Sequence, residues 1–194
     1  MAWESVLVTA DSRSRDPEPR GSKAAEGLWA FSLEIYGRPG VAPACLSLQD
    51  RRGTDVNLLL HALWCGARGH FMTLEEHQQT RRAVTPWNEN VVRPLRHARR
   101  WMKESAAHEN QAGAALRDEI KRHELEAERL EQCLLEAALA PPAVHPPGPA
   151  AAVHNILGVV PEPSLLDCRD LRVLLGSLWP ESGPAQLEAH LRPS

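Results

Sequence analysis
Residues 55–64, DVNLLLHALW, constrain the fold of this chain more than any other stretch. Val56, Leu59, Leu60, Leu63 and Trp64 recur at i, i+3, i+4, i+7 and i+8, the period of one helical face. Leu58 and Ala62 widen that face until little more than one stripe is left polar, so the helix must be enclosed on most sides. It is expected to be the central helix of an all-α fold, and the rest of the chain has to supply the helices around it.

Residues 1–21 mix Ser, Arg, Asp, Pro and Gly without a period and read as a disordered lead-in. Ser22 can cap a helix that continues to Tyr36, where YGRPGV breaks it through its glycines and Pro39. A short helix follows over residues 41–51, with Pro43 tolerated in its first turn. Gly53 stops it, Thr54 or Asp55 caps the central helix, and Gly66 and Gly69 are expected to close that helix. Thr73 and Glu76 have capping-box spacing and open a helix to about residue 84. Thr85 before Pro86 repeats the start signal for a longer helix to about residue 107, kinked or split at Pro94.

Between residues 111 and 140 the pattern changes to steps of four and three, Leu116, Ile120, His123, Ala127, Leu130, Leu134 and Ala137, an apolar seam interrupted by one His. That heptad seam is short and weak in bulky residues, which favours a long antiparallel hairpin with the preceding helix over an intermolecular coiled coil. Residues 141–149, PPAVHPPGP, carry five prolines and read as an extended linker. Over residues 150–194 a short helix, another capped by Ser164, and a weakly patterned tail are expected. The expected architecture is a lead-in and a single helical domain of about six helices over residues 22–140, followed by the linker and short carboxyl-terminal helices.

Apolar residues make up 43% and charged residues 24%, ordinary for a globular chain, and a net charge of -3 gives no global attraction to nucleic acid or anionic lipid. Cys45, Cys65, Cys133 and Cys168 form no C-x-x-C pair and read as reduced thiols in a reducing compartment. The start, MAWESVLVTADSRSRD, has too short an apolar run for a signal peptide, and no stretch is long enough to span a membrane, so the expected location is the cytoplasm.

The segment W-x-F-S-L-x-x-Y-x-x-P-G-V-x-x-x-C-L-x-L-Q-D, followed by G-x-D-V-N-L-L-L, resembles an uncharacterised family of small proteobacterial proteins, a domain of unknown function. Trp29, Phe31, Leu33, Tyr36, Pro39, Gly40, Val41, Cys45, Leu46, Gln49 and Asp50 carry the first part, and Gly53 and Asp55 to Leu60 the second. The likeness extends more weakly to about residue 140. It implies a bacterial, cytoplasmic, helical protein and supplies no activity.

G-x-S-x-G, G-x-x-x-x-G-K, G-x-G-x-x-G and H-E-x-x-H are absent, which removes the usual hydrolase, phosphate-loop, dinucleotide and zinc-protease patterns. Asn57, His61 and Cys65 line one stripe of the central helix, with Asp55 at its start. A His and a Cys one turn apart could hold a metal or form a nucleophile with its base. The favoured reading makes Asp55, Asn57 and His61 structural polar groups, with no metal, no cofactor and no catalytic residue assigned. Arg93, Arg96, Arg100 and Lys103, spaced three, four and three, form a basic stripe that could hold phosphates or an acidic partner. The favoured reading of the stripe is internal, a pairing with Asp118, Glu119, Glu124, Glu126, Glu128 and Glu131 of the next helix.

The sequence thus points to a non-catalytic protein-interaction module whose partner is another protein. The alternative is a binder of phosphate-bearing ligands, RNA or a nucleotide, at the arginine stripe. An enzyme using Asp55, Asn57 and His61 comes third. A monomer is expected, with a dimer through the long helix as the alternative.

Overall fold
A computed structural model describes residues 27–105, 110–141 and 148–191. The lead-in over residues 1–21, the Ser22 cap and most of the proline linker lie outside the described residues. Those described form nine α-helices, one π-helical turn and no strand: α1 (Leu28–Tyr36), α2 (Val41–Arg52), α3 (Val56–Ala67), α4 (Leu74–Trp87), the π turn (Asn88–Val92), α5 (Arg93–Glu104), α6 (Gln111–Ala138), α7 (Pro149–Val159), α8 (Leu165–Leu178) and α9 (Ser182–Leu191). The fold is all-α: among the described residues α1 to α6 lie within residues 22–140, where about six helices were expected, and α7 to α9 follow the linker.

α3 is the axle. Asp55 caps it by accepting hydrogen bonds from the Asn57 and Leu58 amides at 2.9 and 3.4 Å, and all twelve of its residues are buried. Around it close α1, α6 and α7, and one core runs from Leu28 through Leu59, Leu63 and Trp64 to Ile156, Leu171 and Leu187. Gly53, with φ of 66°, stops α2 as its position suggested. Gly66 does not close α3. It lies within the helix at a close approach to α7, where an added Cβ would sit 2.3 Å from the Ala152 Cα, and Gly69, with φ of 80°, lies just past the helix end instead.

Thr73 and Glu76 form the reciprocal capping box at the start of α4. No new helix begins at Thr85. α4 runs through Pro86 and continues without a break into the π turn and α5. The cause lies eight residues on, because Pro94 has no N–H to give Asn90 and its ring crowds that carbonyl. The ladder lengthens by one residue, so the Arg93 amide reaches back to the Asn88 carbonyl, and the expected kink takes the form of a π turn.

α6 packs antiparallel on this segment, with Trp87 donating to the Ala127 carbonyl at 3.0 Å and Arg96 bonding Glu128. Its orientation departs from the heptad reading. Leu116, Leu130 and Leu134 are exposed, and the inner face is Glu124, Ala127, Glu128, Glu131, Gln132 and Leu135. Beyond the linker, Ser164 and Asp167 cap α8 reciprocally, and Arg51 and Arg52 of α2 bind Asp167, tying α8 to the body. All four cysteines are free, with Cys133 exposed.

Candidate functional site
The polar side chains of α3 end in a network on the inner face of α6. Asn57 donates to the Glu131 Oε2 at 2.6 Å and accepts from the Gln132 amide at 2.9 Å. From the π turn, Asn88 donates to the other Glu131 oxygen at 3.0 Å. Glu131 also meets Asp55, and the two carboxyls share a hydrogen bond that requires a proton between them. Burial and the adjacent Asp55 charge push Glu131 up to about 9, and burial raises Asp55 as well. At neutral pH Glu131 therefore keeps its proton.

Two further acids lie one and two turns before Glu131. Arg96 reaches Glu124 at 3.3 Å and Glu128 at 2.7 Å, and Arg99 forks onto both oxygens of Glu124. These glutamates have no access to solvent, so their charges persist only because the guanidinium groups meet them directly. Two members of the α5 basic face, Arg96 of the expected stripe and its neighbour Arg99, therefore point inward. Arg100 makes an exposed pair with Asp50 of α2 at 3.0 Å. Arg93 and Lys103 are exposed and form no ion pair among the described residues.

His61 and Cys65 belong to the core. The imidazole binds the Leu139 carbonyl through Nε2 at 2.8 Å and packs on Trp64, and the Cys65 Sγ lies 3.6 Å from the same nitrogen. Burial pulls His61 down to about 4 and pushes Cys65 up to about 12, so near neutral pH the imidazole is uncharged and the thiol protonated. The thiol is not the thiolate that nucleophilic attack needs, and the imidazole, although neutral as a general base must be, is too weak a base to remove the thiol proton. Among the described residues, no three His, Cys, Asp or Glu side chains are grouped to hold a metal ion.

Concave surface lies to either side of the Arg100–Asp50 pair. On one side, a cleft of about 330 Å³ runs over Asp55, Asn88, Arg93 and Arg96, with a second cavity adjoining it at Asp55 and Arg93. Asp55 reaches this cleft; Asn57 and His61 do not line it. On the other side, between α2, α5 and α6, a cavity of about 470 Å³ collects Arg99, Arg100 and Lys103 with Arg117 and Lys121 of α6. The sequence reading named neither Arg117 nor Lys121. Their spacing of four on the helix facing Arg99 and Lys103 was the available signal, once the antiparallel pairing was assumed.

The family model described as Protein of unknown function (DUF2390) matches residues 27–135. The chain belongs to that family. The match spans α1 to most of α6 and so contains the buried network, the basic stripe, the cleft over Arg96 and the cavity between α2, α5 and α6, while α7 to α9 lie beyond it, with Val159 and Pro161 of the cavity adjoining the cleft. No curated protein and no solved structure matches the chain. Among the described residues, no helix is long and apolar enough to cross a membrane.

Proposed function
We propose that the domain is a non-catalytic protein-interaction module that holds its partner on the outer face of α6. The observation carrying this reading is the inversion of that helix. Its inner face is largely polar, while Leu130 and Leu134, with Cys133 between them, are left on the outside and Leu116 stands out at 54% exposure. Burying a leucine side chain fully contributes roughly 1.5–3 kcal/mol, so a partner that covered Leu130 and Leu134, each 39% exposed, and Leu116 would gain a share of that from each. Intrahelical pairs such as Arg129 with Glu126 give the row a charged border, the arrangement of an apolar contact with a polar rim.

The test is affinity capture with the full chain against a Leu130→Glu, Leu134→Glu variant. The reading expects proteins held by the parent and lost by the variant, at equal melting temperature. Capture of the same proteins by both, or of nothing above background, contradicts it.

A further inference from the structure
The cavity at the turn end of the α5–α6 hairpin is lined by five cations and two acids. Arg99 and Lys103, one turn apart on α5, face Arg117 and Lys121, one turn apart on α6, and Arg100 completes the wall beside Asp50 and Glu104 of the same cavity. Part of this charge is answered within the protein, Arg99 by Glu124, Arg100 by Asp50 and Arg117 by its neighbour Asp118. Lys103 and Lys121 form no ion pair among the described residues. Like charges at one-turn spacing repel along each helix, and here two such pairs also oppose one another across open space. An anion between them would convert that repulsion into attraction.

The geometry points to a binding site for a small phosphate-bearing ligand in this cavity. About 470 Å³ is within the range of small-molecule sites and is concave, unlike the face a duplex would need. Leu46 is the apolar residue in the lining and no aromatic ring contributes, so a ligand is held by charge rather than by stacking or apolar burial. Guanidinium forks and lysine ammonium groups together match the several oxygens of a phosphate better than the two of a carboxylate. Arg100 takes part by exchanging Asp50 for the ligand, an inexpensive exchange because that ion pair is solvent-exposed. The site is separate from the outer row of α6, so the Leu130→Glu, Leu134→Glu variant retains it.

Calorimetric titration of the full chain tests this, with inorganic pyrophosphate, adenosine diphosphate and a hexaglutamate peptide as probes at low and at physiological salt. Pyrophosphate should bind, more weakly as salt rises. A Lys103→Glu, Lys121→Glu variant of unchanged melting temperature should lose about tenfold or more in affinity. Asp50→Asn should bind more tightly, because Arg100 loses its internal partner. Nucleotide binding as tight as pyrophosphate binding supports a phosphate carried on a nucleoside, and weaker nucleotide binding supports a free one. Absence of pyrophosphate binding, equal affinity in the lysine variant, or tighter binding of hexaglutamate overturns the proposal.

Discussion

Asn57 is held at both ends of its amide, by Glu131 and by Gln132, and its backbone N–H binds the Asp55 cap. An alanine at this position leaves a buried carboxyl and a buried amide each short of one partner. At about 1–3 kcal/mol for each unsatisfied group, Asn57→Ala should cost roughly 2–6 kcal/mol, read as a lower urea midpoint at unchanged slope. That residue was legible as the polar exception in an apolar run. Its partners were not, because they lie 74 and 75 positions away and nothing local to DVNLLLHALW names them. His61 and Cys65 invited chemistry by their spacing alone. Their environment removes it, since only tertiary packing reveals that the imidazole is committed to the Leu139 carbonyl and the thiol is sealed in the core.

The helix whose pattern misled is α6. A heptad reading assumes that the apolar row faces inward. Here Arg96 and Arg99 neutralise Glu124 and Glu128, the Asp55–Glu131 pair keeps a proton, and a row of acids can face inward in the leucines' place. The opposite charges of α5 and α6 were visible in the sequence, and their pairing follows from the antiparallel hairpin. Which acids would be buried did not follow, because that depends on how far the helix is rotated about its own axis. Gly66 was legible as a helix-ender by residue type, but its use is set by α7, whose backbone passes against it. Gly66→Ala should therefore force α3 and α7 apart and cost about 3 kcal/mol, seen as a fall in melting temperature, although alanine is the better helix former.

Across the whole molecule, α7, α8 and α9 supply Ile156, Leu171, Leu175 and Leu187 to the core that α3 organises, so the stability of the matched region 27–135 is bound up with the residues after it. The interior acids are structural, held by internal cations and one retained proton. That proton makes stability depend on pH in an unusual direction. Glu131 has an ordinary value of 4.5 and is raised to about 9 in the folded chain, so between those values the folded state binds the extra proton and stability falls as pH rises. His61 acts oppositely, with an ordinary value of 6.5 lowered to about 4, so its contribution is lost only as pH falls below the neutral range. The buried thiols begin to count only near their ordinary value of 9.0. From about pH 6.5 to about 8.5 the slope belongs to the Asp55–Glu131 pair, with a limit of about 1.4 kcal/mol per pH unit for one proton.

Glu131→Gln removes the titration while its amide can still donate to Asp55, provided Asn88 turns its own amide to accept from it. The decisive measurement is the urea midpoint across that window for the parent chain and this variant. The midpoint should fall in the parent and stay flat in the variant; a flat parent curve, or the same slope in both, would mean that Glu131 holds no such proton.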